Sequence, residues 1–450
     1  MRVDDRATLT VRIVQAVGWY FPSHAGGTEV YVDELSRRLQ VAGHEVLVAA
    51  PEPGGTGPRT YSHNGVPVFR YPIPLRPTRD EAQGRVVARG AAHFHQWLEA
   101  MRPDILHVHT FVTGLALEEL RAAARLGIRT TVTTHSARLG FICQRGTLMR
   151  FGRRLCDGHI RTVTCSRCAL QHGGAPRGAA DALALVPPPL AAAAARLPGK
   201  VGTALGMPAL IRHNRRSQHA MFDVIERFVV LTEHARRAVI ANGAPAERTV
   251  LNRLGVRFVP APHLPRDPNR PLTIGYIGRF DPVKGVEDLA RAIAGRATRL
   301  PIRFEFHGPV RNKADLAVQT RLKRIVGPDA WVVFGGELDA AGVRAALQRL
   351  DVVCCPSRVI EGGPTVALEA RAAGVPVIGS DLPGLSEIVR DGVDGRLVPA
   401  GDWRALAALF SELAAEPSLV TAWQAALGPV RTMDDVAQEY MLMYAGRVSS

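Results

Sequence analysis

A chain of 450 residues is too long for one ordinary hydrophobic core and predicts two domains. Its 46% hydrophobic and 22% charged residues are those of a folded globular chain and exclude wholesale disorder. The net charge of +15 is spread without a polybasic run, and aromatic residues are only 6%, which argues against a nucleic-acid partner.

The opening stretch MRVDDRATLTVRIVQAVGWY has charges on both sides of a short apolar core and does not read as a signal peptide. No uninterrupted apolar run of about 20 residues follows, so no spanning helix is predicted. Six cysteines without an export signal are expected to stay reduced. The expected location is cytoplasmic, with peripheral contact at the inner face of a membrane as a further expectation.

Short apolar runs then alternate with helical patterns. VRIVQAVGWY, HEVLVAAP, DILHVHT, IRTTVTTH and RFVVLTE read as buried strands in the first half. LTIGYIGRF, IRFEFHG, AWVVFGG, DVVCCPS and VPVIGS repeat the theme in the second. Between them, segments such as TEVYVDELSRRLQVAGH carry apolar residues at helical spacing and stop at glycine, here Gly43. Continuous Val/Ile runs suit strands covered on both faces, and strand–helix alternation predicts an α/β fold with parallel sheets. The Pro-rich stretch 259–271 reads as a linker, giving domains over 1–257 and 272–425 and a C-terminal helical segment over 426–450. Residues 140–220 break the alternation and read as an insertion in the first domain.

Chemistry concentrates at three places. In SHAGGTEVYVDEL, Gly26 and Gly27 sit between a strand and a helix, where a glycine turn lets backbone approach a diphosphate. The spacing is neither a dinucleotide fingerprint nor a P-loop. In IGRFDPVKG, Arg279 and Lys284 follow a strand, at the edge where open parallel sheets bind ligands. Only four of the 56 basic residues are lysine, so Lys284 beside a glycine stands out from the arginine background. Arginine grips phosphate as a fork and lysine as a point charge. In VIEGGPTVALEARAAGVPVIGS, Glu361 lies in a loop and Glu369 in the following helix. Pro364 suits the first turn of that helix, and Gly362 and Gly363 allow a ligand close to the backbone. Two carboxylates so arranged do not flank one bond; they suit hydroxyl pairs of sugar and ribose at two points of a long ligand. The alternative is that they only cap and solvate the helix.

Four cysteines, Cys143, Cys156, Cys165 and Cys168, fall within 26 residues and end in CSRC, a candidate tetrahedral structural zinc set. Reduced thiols in a packed insertion are the alternative. RHNRRSQHAM, residues 212–221, is the densest basic patch, either a solvated helix face or a contact for a lipid-linked acceptor at an anionic surface.

The GGTE, GRFDPVKG and E-x7-E elements, with the following EARAAGVPVIGSDLPGLSEIVRDGVDGRLVPAGD, resemble the retaining nucleotide-sugar glycosyltransferases of family 4. The resemblance implies GT-B architecture: two Rossmann-like domains with parallel sheets facing across a cleft, an acceptor domain first and a donor domain second. It implies that the C-terminal helix packs back on the first domain. It assigns Arg279 and Lys284 to the donor diphosphate, Glu361 to the donor sugar and Glu369 to the ribose. The backbones of Gly27, Gly363, Pro364 and Thr365 would line the pocket, and His135 in TTHS would match the family's active-site histidine. The implied donor is a nucleoside-diphosphate sugar and the acceptor a carbohydrate or lipid-linked hydroxyl in a surface polysaccharide or glycolipid pathway. A front-face reaction on that donor calls for no catalytic metal. Rival readings are another GT-B enzyme, such as a nucleotide-sugar epimerase, and a non-catalytic basic binding protein.

Overall fold

The computed structural model describes residues 10–24, 26–257, 270–295 and 300–446. The linker expected over 259–271 lies outside them, apart from its last two residues. The chain divides into two compact units, Met1–Phe151 with Cys156–Arg253 and Met433–Ser450, and Gly152–Leu155 with Leu254–Thr432.

The first unit is built on β1 (Arg12–Ala16), β2 (Glu45–Pro53), β3 (Arg59–His63), β4 (Val66–Ile73), β5 (Ile105–Val108) and β6 (Arg129–Thr134). Two two-residue strands, β7 (Met149–Arg150) and β8 (Arg154–Leu155), lie outside the large sheets. With β9 (Arg227–Val230) and β10 (Thr249–Leu251), the first unit's sheet runs β10-β9-β6-β5-β1-β2-β4-β3. Only the β3–β4 pair is antiparallel. Its turn is Asn64-Gly65, both at positive φ (48° and 81°), the geometry that matches the twist of a two-residue hairpin. Between β6 and β9 the insertion folds as five helices, from Thr162–His172 to the 18-residue Met207–Val224.

The second unit holds β11 (Leu272–Ile277), β12 (Ile302–His307), β13 (Val332–Gly335), β14 (Val352–Cys355), β15 (Val377–Ser380) and β16 (Gly395–Val398). They form one parallel sheet in the order β13-β12-β11-β14-β15-β16. Numbered from its own first strand, that order is 3-2-1-4-5-6, the doubly wound pattern. Along β14 the side chains alternate between two cores: Val352 and Cys354 join Phe304, Phe306 and Phe410, while Val353 and Cys355 join Ala367, Val377 and Leu385. Burial on both faces explains why these strands read as unbroken apolar runs.

The unit boundaries fall at 253/254 and 432/433 rather than at the expected 257, 272 and 425. Residues 254–257 are tied into the second unit, where Val256 bridges Thr432 and Arg257 pairs with Glu369. The helix Met433–Tyr444 belongs to the first unit, where Arg38 pairs with Asp434 at 2.6 Å and the Tyr31 hydroxyl meets that of Tyr440 at 3.1 Å.

At the start of the second sheet, Asp351 is fully buried and accepts from both terminal nitrogens of Arg270 (2.6 and 2.9 Å) and from the Thr273 N–H (2.7 Å). Replacing a buried carboxylate so engaged strips its donors of this acceptor at once. Asp351→Ala is expected to destabilise the second unit by about 2–3 kcal/mol, below the fully buried case because Arg270 is 32% exposed. A chemical-denaturation midpoint equal to wild type would contradict this.

Candidate functional site

The doubly wound order reverses between β11 and β14, and loops leaving the carboxyl ends of those two strands border the crevice where such sheets take ligands. After β11, the Asp281 carboxylate accepts from the Val283 N–H at 3.0 Å and opens a single 3-10 turn, Pro282–Lys284. Gly285 then takes φ 67°, and a Cβ there would lie 1.7 Å from the Pro356 carbonyl oxygen. Only glycine permits this approach, which seats the first loop directly on the second. The Arg358 N–H reinforces the contact by donating to the Val283 carbonyl at 2.8 Å.

The seating places Lys284 Nζ against Glu361 as an ion pair, and the other Glu361 oxygen accepts from the Ser357 hydroxyl. Arg279 is 67% exposed, with only a loose contact to Asp281 at 3.5 Å, so its fork is available to a ligand. Arg358 grips the buried Asp288 carboxylate through two nitrogens and braces the loop rather than the ligand. Neither Ser357 nor Arg358 was singled out from the sequence, since nothing in a lone Ser-Arg dipeptide marks its partners.

Past Glu361 the chain runs through Gly362 and Gly363, the latter at φ 114°, into the helix Thr365–Ala372. Pro364 precedes that helix as its cap residue instead of occupying its first turn, because its ψ of 114° keeps it extended. No side chain caps the helix start, which leaves the first N–H groups available to an anionic ligand. Gly384, at φ 97°, closes over the loop from the far side; a Cβ there would meet the Glu361 carbonyl at 2.2 Å. Glu369 is 6% exposed, and its carboxylate accepts from Arg257 at 3.0 Å. Burial raises its pKa above the ordinary range, against the pull of Arg257. The 112-residue separation hid Arg257 from sequence reasoning.

In the first unit, Gly26 is the extended cap of the helix Gly27–Val41, and a Cβ on it would collide with the Glu29 carboxylate at 2.6 Å. Gly27 has open space where its Cβ would be. Around β5 and β6 three histidines gather. His109 lies between Gln15 Oε1 (2.6 Å) and His135 Nε2 (3.0 Å). His107 lies between the hydroxyls of Tyr444 (2.6 Å) and Thr133 (2.7 Å). His135 also packs against the Tyr31 ring, with centroids 4.6 Å apart and planes 67° apart. Burial drives all three pKa values down, that of His135 to about 3, so the cluster is neutral. His135 was legible from its place at a strand end; its partners, Gln15 on β1 and His109 just after β5, were not.

Cys143, Cys156, Cys165 and Cys168 line one cavity, but among the described residues no three His, Cys, Asp or Glu side chains are grouped to hold a metal ion. Two of the sulfurs accept backbone hydrogen bonds: Cys168 Sγ from the Phe151 N–H at 3.2 Å and Cys165 Sγ from the Arg161 N–H at 3.4 Å. All six cysteines are free thiols, and Cys354 and Cys355 are core packing on β14.

Two family profiles match the chain: the glycosyl transferase 4-like domain over residues 26–189 and glycosyl transferases group 1 over residues 271–416. A phosphatidyl-myo-inositol mannosyltransferase of Mycobacterium leprae is 33% identical over 162 residues, a stretch covering 33% of this chain and 38% of that protein. The match thus spans well under half the length of that relative. Among solved structures, sucrose-phosphate synthase from Thermosynechococcus elongatus superposes with a TM-score of 0.64 at 17% identity, covering 97% of this chain and 98% of that one. Anabaena HepE in complex with UDP and glucose gives a TM-score of 0.61 at 14% identity, covering 97% and 99%. With one profile matched in each half and GT-B neighbours over nearly its full length, the chain belongs to the family 4-type glycosyltransferases and has the GT-B fold.

Proposed function

We propose that the chain is a retaining glycosyltransferase that moves a hexose from a nucleoside-diphosphate sugar to a hydroxyl acceptor. The Lys284–Glu361 pair at the switch point of the second sheet carries this reading. An ammonium and a carboxylate in contact suit a ligand that offers an anionic oxygen and a hydroxyl a few ångströms apart. A glycosyl phosphate has that pattern, with the phosphate on C1 and hydroxyls around the ring. Lys284 and Arg279 take the diphosphate, Glu361 a sugar hydroxyl and Glu369 the ribose diol. The backbone of Gly363, Pro364 and Thr365 lines the same site, and Gly26 and Gly27 keep the first helix's N-terminus open.

The chemistry follows from charge. As the bond between C1 and the diphosphate breaks, negative charge grows on the leaving oxygens, and two preplaced cations stabilise it. One of those oxygens takes the acceptor's proton as its hydroxyl attacks the same face. No side chain of this chain is needed as a covalent nucleophile. HepE, solved with UDP and glucose, supports a nucleotide-sugar donor, and the mannosyltransferase's phosphatidylinositol name supports a lipid-linked acceptor.

A membrane surface is the second partner we propose. On the helix Met207–Val224, Arg212, Arg215, Arg216 and His219 fall at helical spacing on one exposed face, opposite the buried Leu210, Ile211 and Met221. Arg212, Arg215 and Arg216 line a groove of about 740 Å³ with Leu185 and Val163. Leu185 and Leu190 nearby are 68% and 63% exposed. Cations beside exposed leucines suit an anionic bilayer surface.

Two outcomes are expected. In calorimetric titrations with UDP, GDP and ADP, the tightest nucleotide loses about 1–3 kcal/mol of affinity in Lys284→Ala and in Glu369→Gln. Full affinity in both variants would remove the donor assignment, and conversion of the donor to a new free nucleotide sugar without acceptor would make the enzyme an epimerase. In co-flotation with vesicles containing phosphatidylglycerol, the triple variant Arg212→Gln, Arg215→Gln, Arg216→Gln binds about a hundredfold more weakly, since each surface cation contributes about 1 kcal/mol. Equal flotation of variant and wild type would remove the membrane assignment.

A further inference from the structure

We infer that Gln15 and His109 are positioning residues that fix the tautomer of His135, so that its Nδ1 is presented as a bare hydrogen-bond acceptor. The inference rests on the glycosyltransfer reading for its purpose, but not for its chemistry. Gln15 Oε1 can only accept, so at 2.6 Å the His109 Nε2 must carry the proton. Since His109 is neutral, its Nδ1 is then a lone pair. That lone pair faces His135 Nε2 at 3.0 Å and must be met by an N–H. His135, also neutral, is thereby left with an unprotonated Nδ1.

The placement of the three groups supports a relay. Gln15 lies on β1, His109 directly follows β5 and His135 directly follows β6, and these strands are adjacent in the order β6-β5-β1. All three reach across the carboxyl ends of the first sheet at its own reversal point, between β1 and β5. Gln15 and His109 are 0% and 2% exposed, so water does not compete for the inner bonds, while His135 at the end of the relay is partly exposed. The Tyr31 ring packs against His135 at 67° between planes. A neutral histidine with a lone pair outward is a receptor for a hydroxyl, not a counter-ion for phosphate. His135 therefore acts on a sugar hydroxyl, and the cationic work stays with Arg279 and Lys284. The opposite orientation of the Gln15 amide would reverse both rings and turn Nδ1–H outward.

The test is a nitrogen-15 spectrum of the histidine side chains in the full chain, with the His135 signals assigned by their loss in His135→Asn. Wild type is expected to show His135 protonated at Nε2 and bare at Nδ1. Protonation at Nδ1 in wild type would overturn the inference. The near-isosteric Gln15→Met is expected to give a mixture of both tautomers and at least a tenfold lower transfer rate, with nucleotide affinity unchanged. A single Nε2–H tautomer retained in folded Gln15→Met would also overturn it. Because the spectrum needs no substrate, it stands or falls separately from the glycosyltransfer reading: an Nε2–H tautomer in a protein that transfers no sugar would sink that reading and leave the relay intact.

Discussion

The second unit's site depends on one close approach, Gly285 against the Pro356 carbonyl. It brings the loop after β11 onto the loop after β14, and from that follow the Lys284–Glu361 pair and the Ser357 hydroxyl on the same carboxylate. The carboxyl ends of the adjacent strands β11 and β14 lie about 5 Å apart, so loops leaving them can face one ligand once they are seated together. The doubly wound order supplies the meeting point. Glycine at position 285 removes the one methyl that would hold the loops apart.

Much of this was legible in the sequence. All ten apolar runs first read as strands contain strands, because burial on both faces leaves a continuous Val/Ile signature that one chain can display by itself. The edges were harder. Strands β3 and β4 escaped notice, although Asn64-Gly65 between RTYSH and VPVFRYPI is a strong hairpin signal. Strand β10 is only three residues long, and β16, GRLV, is opened by Gly395 and Arg396 and does not read as an apolar run. In the site, Lys284 was visible because lysine is rare in this chain, and Glu361 and Glu369 because glycines surround them. The partners that tune them, Ser357 and Arg257, have no local mark; only the fold joins them. The cysteine pattern was legible as a cluster, since the four closely spaced thiols do line one cavity.

The two units divide the electrostatic labour differently. At the second unit's site, Lys284 and Glu361 are paired and partly exposed, and burial raises the pKa of Glu369 against the pull of Arg257. In the first, the centre is a neutral hydrogen-bonded cluster, where His107, His109 and His135 share acceptors and donors with Gln15, Thr133 and tyrosine hydroxyls. Desolvation keeps such rings uncharged, so their role is set by proton placement rather than by net charge. That arrangement demands complete partners, since a buried polar group left without one costs about 1–3 kcal/mol.

Two of those partners come from the far end of the chain. Tyr440 and Tyr444, on the helix Met433–Tyr444, reach Thr133 and His107 more than 300 residues upstream. During synthesis the segment 254–432 emerges whole before that helix does, and its domain core can form while the N-terminal one still waits. The N-terminal half of this polypeptide is therefore made first and finished last.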